Sequence, residues 1–464
     1  MAEVPLPDLW TSQLTTFFRP FASLWETGAR SADTRANARS YLLGLLLPGE
    51  RKSMEPIADR LPLTTVDRIQ HFLTDSPWPS DLLQTRLIEV MAQRFASAQG
   101  ALSLDDTSFP KQGRASVGVA RQWCGSVGKS ANCQVGVSLY YVLPRPARHA
   151  DLIGFSCGIR LYLPQGWSEA STRRERARVP PEIEFEEKWR IGLALIDRVR
   201  RLRVSHRAVL ADADYGRSLE FRHALRERGE SYALGIHLRS ILLMPLSPTG
   251  APTRERPQNG QQLLAELPLT AYRTVTWGRG TKGPLRMEMA RVRVQVYVGR
   301  RYRGTPQGPT DEVGWLLLER RTNETKAYLL WGLDRLTLRQ QSQLMRARWP
   351  IEQGYQQMKE ELGLDHFEGR TWTGWHHHVT MVALAHAFLM TVRAKGADRR
   401  RPLPTLPKVR KWIRAQMEFP MVTVISDSTD TGLRKRMLDR LLALTDSQVR
   451  LQGTKWTRSR TTPQ

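Results

Sequence analysis

Two short apolar segments, each followed directly by aspartate, constrain the fold of this chain more than any other feature of the sequence. Ala101–Leu104 precedes Asp105 and Asp106, and Ala208–Ala211 precedes Asp212. Short apolar runs bounded by polar residues are typical of buried strands. A stretch with helical periodicity lies between them, so the pattern indicates an α/β fold. Both aspartate sites are predicted to lie at strand ends.

The rest of the chain is predicted to contain further helices and strands in separate regions. Residues 1–95 form short helices joined by turns, with an N-cap within Thr64–Asp67, and suit either a DNA-binding headpiece or an ordinary helical bundle. Dense Pro and Gly with intervening strands between residues 240 and 335 predict an all-β insertion. Helices return from Leu338 to about Lys395, and a basic, proline-interrupted tail follows from residue 396.

Charge and composition limit the class of protein. The 464 residues, about three domains by length, carry 70 Lys and Arg against 45 Asp and Glu, a net charge of +25. Such a surplus favours nucleic acid as partner, the alternative being a basic protein kept soluble by its charge. Three cysteines without a CxxC pair argue against structural zinc and favour a reducing cytosol. With neither an apolar run of about 18 residues nor a signal-peptide pattern, we expect no membrane span and no secretion.

One predicted helix carries a cation, a carboxylate and a second cation on the same face. At 100° per residue, Arg348, Glu352 and Lys359 fall within about 40° of one another. An i,i+4 Arg–Glu pair with a nearby lysine is common on any helix. Together with Asp105 and Asp212, however, Glu352 completes a set of hard oxygen ligands. Such a set suits two Mg²⁺ ions, which activate the attacking oxygen and stabilise the leaving oxygen of a phosphodiester.

The same helix resembles the Tyr–Arg–Glu–Lys signature of bacterial insertion-sequence transposases. Arg348, Glu352 and Lys359 match three of its four positions, whereas Met345 stands where the family has tyrosine.

The two aspartate sites resemble the other motifs of these transposases. Asp105-Asp106-Thr107 resembles the first, Asp-x-Thr, which favours Asp105 over its rival Asp106 as metal ligand. Asp212-Ala213-Asp214-Tyr215 resembles the second, although family members often have glycine where this chain has Asp214. Residues 39–58 and 111–137 also resemble one branch of the family.

The resemblance implies a cut-and-paste DDE transposase with an RNase H-like core. The implied regions are a helical DNA-binding region (1–95), the first part of the core (96–238), a β-rich insertion (239–335), the second part of the core (336–395) and a basic helical C-terminal region (396–464). Asp105, Asp212 and Glu352 would be catalytic and hold two Mg²⁺ ions, or Mn²⁺ in their place. Arg348 and Lys359 would contact phosphate, as their bidentate and point-charge chemistries suit.

The implied activity is metal-dependent cleavage and strand transfer at the terminal inverted repeats of the element. A DNA hairpin would form on the way, two copies of the chain would act together, and no nucleotide cofactor would be needed. The location would be the bacterial cytoplasm, at the nucleoid. A nuclease that does not integrate, and a domesticated DNA-binding regulator without catalysis, are the alternatives.

Four further features of the sequence each allow more than one interpretation. Residues 124–130 are not a phosphate-binding loop, since Trp123 stands where that motif needs glycine and a strand follows. His376–His378 are expected to be structural or DNA-facing rather than metal ligands. Trp277, beside Lys282, is a candidate for holding a flipped base, with Trp315 and Trp331 as rivals that a β core would bury. Arg399–Arg414 is either a phosphate-contacting arm or a solvated tail.

Overall fold

The computed structural model describes most of the chain. The described residues are 7–26, 31–47, 49–61, 64–143, 153–280, 283–299, 307–322, 324–395 and 407–409. The chain divides into two compact units, one of residues 1–78 with 405–464 and one of residues 79–404. Lys282 and nearly all of Arg399–Arg414 lie outside the described residues. None of the helices in the described ranges is long and apolar enough to cross a bilayer.

The described part of the first unit is helical and has an aromatic core. Its helices are α1 (Pro7–Phe18), α2 (Ser31–Leu46), α3 (Met54–Arg60) and α4 (Val66–Thr74). The indole of Trp78 stacks on Phe72 with ring centroids 5.3 Å apart. The Thr65 side chain accepts a hydrogen bond from the Arg68 amide and caps α4, which confirms the predicted N-cap.

The second unit alternates helices and strands. Its helices are α5 (Ser80–Phe95), α6 (Gln165–Ser168), α7 (Ser171–Arg176), α8 (Lys188–Arg201), α9 (Ala213–Gly216), α10 (Leu219–Glu227), α11 (Gly260–Glu266), α12 (Leu338–Arg346), α13 (Trp349–Leu362) and α14 (Trp372–Lys395). Its strands are β1 (Ala101–Pro110), β2 (Ala120–Cys124), β3 (Lys129–Leu143), β4 (Ile153–Leu161), β5 (Ala208–Ala211), β6 (Tyr232–Ile236), β7 (Leu242–Pro245), β8 (Gln258–Asn259), β9 (Arg273–Gly280), β10 (Gly283–Val298), β11 (Gly308–Arg320) and β12 (Thr325–Trp331).

The core of the sheet has the strand order β4-β3-β1-β5-β6. β3 pairs antiparallel with β1 and β4, whereas β1, β5 and β6 run parallel to one another. Three antiparallel strands continued by two parallel ones are the RNase H-like arrangement, and the expected α/β fold class is confirmed. Parallel pairing of β1 with β5 needs a crossover, which α8 provides.

The insertion extends this sheet. β12 pairs antiparallel with β6, and β11, β10, β7 and β8 follow in order. The prediction of an all-β insertion is wrong in one respect, because α11 begins at Gly260. The capping box that Asn259 and Gln262 form satisfies backbone amides at its first turn, and its Leu263 packs into the apolar core of the insertion.

The prediction that Asp105 and Asp106 end a strand is also wrong, because β1 continues to Pro110. Its parallel partner β5 pairs only as far as Leu104, but the long antiparallel partner β3 supplies hydrogen bonds along the rest of the strand. The two aspartates therefore lie inside β1, where successive side chains point to opposite faces of the sheet.

Candidate active site

Asp105 in β1 and Asp212, the residue after β5, lie beside one another, because β1 and β5 are neighbouring parallel strands. Leu104 of β1 is opposite Ala211 of β5, so both carboxylates follow directly at one edge of that pair. Burial raises the pKa of Asp105 to about 7; Arg348 opposes the shift, and the charges of Asp212 and Asp106 add to it. Burial also raises the pKa of Asp212, against the hydrogen bond from the Tyr215 amide. Two aspartates that repel one another at a buried edge favour bound positive charge.

The chain folds tightly after β5 and thereby orients Asp212. The side chain of Asp212 accepts hydrogen bonds from the backbone amides of Asp214 at 3.0 Å and Tyr215 at 3.2 Å. Aspartate is well suited to capping such a turn, because its short side chain reaches amides two and three residues ahead. One oxygen of the carboxylate, Oδ1, is thus occupied by the turn, and this bond sets the orientation of the group.

Arg348 links Asp105 to the helix that carries Glu352. α12 ends at Arg346 and α13 begins at Trp349, with Pro350 in its first turn, where a missing amide costs nothing. Arg348 lies at this break and bonds Asp105 Oδ2 through Nη1 at 3.1 Å and Glu352 Oε1 through Nη2 at 2.7 Å. The carboxylates of Asp105, Glu352 and Asp212 outweigh the effect of burial and raise the pKa of Arg348.

Lys359 lies two turns after Glu352 and reaches the same strand. Its Nζ donates a hydrogen bond to the backbone oxygen of Ser108 in β1 at 2.9 Å. Its ammonium also lies 5.4 Å from the centroid of the Phe109 ring. Burial lowers the pKa of Lys359. Helix α13 is therefore joined to β1 by Arg348 at one end and by Lys359 at the other.

Asp106 points to the opposite face of the sheet and has different partners. Lys188 of α8 lies 2.6 Å from its Oδ2, and the hydroxyl of Tyr215 donates to its Oδ1 at 2.6 Å. Burial, followed by the negative charge of Asp106, raises the pKa of Tyr215 well above its usual value, so the phenol stays protonated and donates. A cavity of about 840 Å³ adjoins this group and is also lined by Phe185 and Arg217.

The donor set fits hard divalent cations, although the three carboxylates are not assembled as a metal cage. No group of three His, Cys, Asp or Glu side chains in the described ranges is close enough to hold an ion. The cation between Asp105 and Glu352 is instead the guanidinium of Arg348. Asp105 and Glu352 come from separate elements and share one positive charge, and the buried Asp212 lies beside Asp105. Carboxylate oxygens of this kind are ligands suited to Mg²⁺ or Mn²⁺.

The insertion brings Trp277 next to the break between α12 and α13. The Arg346 guanidinium lies 5.2 Å from the centroid of the Trp277 ring, and Gln343 Nε2 donates to the Trp277 backbone oxygen at 3.2 Å. The two rival tryptophans are half-buried against the sheet. The Arg291 guanidinium lies 4.5 Å from the centroid of the Trp315 ring, and the ring of Trp331 stacks on that of Tyr232.

The histidine run is built into the core of the second unit. His376 Nδ1 lies 2.9 Å from the Trp372 backbone oxygen, and its Nε2 accepts a hydrogen bond from the Leu161 amide at 3.3 Å. His378 Nε2 lies 3.1 Å from the Gly363 backbone oxygen. Burial lowers the pKa of His376 and of His378 to about 4, which keeps both rings neutral. These contacts support the structural interpretation.

The segment that resembles a phosphate-binding loop is the turn between β2 and β3. Gly128 has φ +65°, a value that glycine adopts without strain, and β3 begins at Lys129. A strand rather than a helix follows, as the sequence predicts.

Lys188 is a residue of the site that the sequence analysis missed. Its signal is present in the helical pattern, because Lys188 stands one turn before Ile191 and Gly192 and two turns before Leu195, all of them buried in α8. A lysine at the start of an apolar stripe is partly removed from water, and a carboxylate partner offsets the cost of desolvating its ammonium. The partner, Asp106, lies 82 positions away in the sequence.

Comparison with known proteins identifies related families. Residues 23–284 match the family described as DDE superfamily endonuclease, and residues 190–388 match that described as Transposase DDE domain. A protein of Microchaete diplosiphon named "Probable transposase for insertion sequence element IS701" is 28% identical over 201 residues. That match covers 43% of this chain, and the chain spans about half (48%) of the length of that curated relative. A solved structure titled "Cryo-EM structure of piggyBac transposase synaptic complex with hairpin DNA (SNHP)" covers 94% of this chain and 83% of its own, at 12% identity and a TM-score of 0.43.

Proposed function

The chain belongs to the DDE superfamily endonucleases, and from that premise we propose that it is an insertion-sequence transposase that cuts and rejoins DNA. Its substrate would be duplex DNA carrying the terminal inverted repeats of its own element, and two copies of the chain would act together. The observation that carries the proposal is that Arg348 bonds both Asp105 in β1 and Glu352 in α13. Asp212 directly follows β5, the strand that pairs with β1, and its charge also acts on Arg348.

Each residue of the proposed site has a role that follows from its chemistry. Asp105, Asp212 and Glu352 would hold two divalent ions, which would activate the attacking oxygen and stabilise the leaving oxygen. Asp105 is preferred over Asp106 because it faces α13, whereas Asp106 is bonded to Lys188 and Tyr215.

The basic residues of α13 would bind the DNA backbone. The guanidinium of Arg348 matches two phosphate oxygens, and the ammonium of Lys359 supplies a compact charge near β1. With Glu352 they would form the Arg–Glu–Lys part of a Tyr–Arg–Glu–Lys site, and Met345 would leave the tyrosine hydroxyl absent.

The insertion would handle the DNA beside the cut. Trp277 would stack on a flipped base and Lys282 would contact the neighbouring phosphate, which suits the formation of a DNA hairpin. The position of Trp277 beside Arg346 supports this role, because a base stacked there would lie near the break that carries Arg348.

Cleavage of an end-containing duplex tests the proposal. With Mg²⁺ present, Asp212→Ala and Glu352→Ala are expected to abolish cutting while leaving binding of the duplex largely intact. Glu360→Ala is the matched control, since Glu360 lies on the same helix, is exposed and bonds only the nearby Gln356 among the contacts described. Full cutting by either alanine variant would refute the ligand assignment.

Two further comparisons divide the alternatives. Asp105→Asn should remove cutting more completely than Asp106→Asn, and the reverse order would make Asp106 the ligand. Cutting without joining to target DNA would favour a nuclease. Tight binding of the repeats by the unaltered chain with no cutting in Mg²⁺ or Mn²⁺ would favour a regulator.

A further inference from the structure

The hairpin formed by β2 and β3 is fastened to the strand that carries Asp105. The Ser126 amide in its turn donates to Ser108 Oγ at 3.1 Å, and the Ser108 backbone oxygen accepts the hydrogen bond from Lys359. Ser108 follows Asp105 by three residues, about 10 Å along a strand. The hairpin therefore holds a fixed position at one end of the proposed active site.

This hairpin presents a large aromatic side chain to solvent. Trp123 is 62% exposed, the most exposed aromatic residue in the described part of the chain. Side chains alternate along β2, so Arg121 shares the exposed face with Trp123, while Cys124 on the other face is buried. The residues opposite them in β3 are Ser130 and Asn132. A broad apolar ring thus stands among polar neighbours, where packing does not explain it.

The hairpin and the loop before it carry cations and no acidic residue of their own. Residues 107–143 contain no Asp or Glu and four Lys or Arg. The Asn132 side chain donates to the backbone oxygens of Lys111 at 2.7 Å and Gly113 at 2.9 Å, which holds the loop with exposed Arg114 beside the hairpin. Burial lowers the pKa of Arg173, and the nearby positive charge of Arg114 lowers it further. Exposed Lys129 begins the other strand.

We propose that the face formed by Arg121, Trp123, Ser130 and Asn132 binds single-stranded DNA next to the cut, with Trp123 stacking on an unpaired base. A flat exposed ring flanked by cations is the chemistry of single-strand binders, because every base offers a face for stacking while phosphates meet the cations. A base inside a duplex is stacked on both sides and offers no free face. A second copy of the chain fits this face poorly, because a symmetric contact would set cations against cations, since residues 107–143 contain no Asp or Glu. That the single-stranded DNA lies next to the cut rests on the proposed function. That this face binds single-stranded DNA does not.

Binding of a homopolymer tests the proposal without knowledge of the element's ends. The probe is fluorescent oligo(dT) of about 20 nucleotides, longer than typical single-strand sites, with a blunt duplex of equal length for comparison. Trp123→Ala should weaken oligo(dT) binding about 5- to 150-fold in fluorescence anisotropy, the range expected for one lost stacking contact. Its affinity for the duplex should change less than about twofold, and Trp123→Phe should recover part of the loss.

Leu269→Ala is the matched control, because Leu269 is 70% exposed and lies in the insertion. Arg121→Ala should weaken both probes and lower the dependence of binding on salt by about one phosphate contact. Equal oligo(dT) affinities of the Trp123→Ala and Leu269→Ala variants, at unchanged melting temperature, would overturn the proposal. So would a change in oligomeric state on sedimentation with no change in DNA affinity, which would make the face a contact between copies.

Photochemical cross-linking locates the contact directly. Oligo(dT) with one 5-iodouracil should cross-link to the tryptic peptide Gln122–Lys129, which contains Trp123. Cross-links confined to other peptides would refute the assignment. Trp123-dependent binding by a chain that cuts no DNA would refute the proposed function alone. If the unaltered chain cuts DNA but Trp123→Ala leaves oligo(dT) binding unchanged, this inference alone would be refuted.

Discussion

A buried ion cluster joins the insertion to the core, and removing one of its charged side chains is expected to destabilise the fold. Glu312 of β11 is fully buried. Arg222 of α10 bonds both of its oxygens through Nε at 2.9 and 3.1 Å, and Arg226 lies 3.2 Å from Oε2. The hydroxyl of Tyr232 in β6 also donates to Glu312. The core thus contacts a single carboxylate of the insertion through three side chains.

The perturbation is Arg222→Met, which keeps side-chain bulk and removes the charge. It leaves Glu312 with one arginine and one phenol, and it leaves the Gly216 backbone oxygen without the bond from Arg222 Nη1. Removing one partner of a buried ion pair typically costs about 3–5 kcal/mol, because the remaining charge is desolvated without compensation. At about 2–4 °C per kcal/mol for a large domain, the melting temperature should fall by about 6–20 °C.

Calorimetry and urea denaturation of the full chain measure the loss. The matched control is Arg320→Met, since Arg320 pairs with Glu288 at 2.7 Å on the insertion surface, with side chains 37% and 44% exposed. An exposed pair is worth about 0–1 kcal/mol. Adding Glu312→Gln to Arg222→Met should recover part of the stability, because it removes the uncompensated charge. A loss no larger than that of Arg320→Met would refute the reasoning.

Two further predictions concern buried residues of the second unit. His386 is fully buried, has no hydrogen-bond partner for either ring nitrogen within the described residues, and has its pKa lowered to about 3 by burial. The unfolded chain binds a proton at His386 more readily than the folded chain does. The free energy of unfolding is therefore unaffected by this group above about pH 6.5, and it falls by up to about 1.4 kcal/mol per pH unit as the pH decreases further. His386→Leu should therefore lose less stability than the unaltered chain between pH 6.5 and 4 in urea titrations, and parallel curves would contradict this. At Gly216 a Cβ would lie 1.8 Å from the Gly235 backbone oxygen, so Gly216→Ala should lower both the melting temperature and DNA cutting, whereas Gly113→Ala, with nothing within 4 Å, should change neither.

Local sequence patterns predict many elements well. The apolar run Ala208–Ala211 is β5 with the same bounds, because polar residues close the run on both sides and limit the length of the buried strand. The Thr65 cap is equally local, since it depends on a side chain and an amide three residues apart. β1 is different, since pairing with the distant β3 extends it past Leu104.

The sequence by itself determined which residues can do the chemistry. Asp105, Asp212, Glu352, Arg348 and Lys359 stand out by type and spacing, which are properties of neighbouring positions in the chain. The distribution of charge is equally readable, including the acid-free stretch from 107 to 150.

Only the tertiary structure decided how these residues meet. Asp105 and Asp106 are adjacent and chemically identical, and the strand sends them to opposite faces; which face α13 covers depends on packing between elements far apart in sequence. Lys188 joins Asp106, and Trp277 joins Arg346, for the same reason. Burial then set the pKa of Asp105, because desolvation depends on the atoms that surround a carboxyl group and not on the residues next to it in the chain.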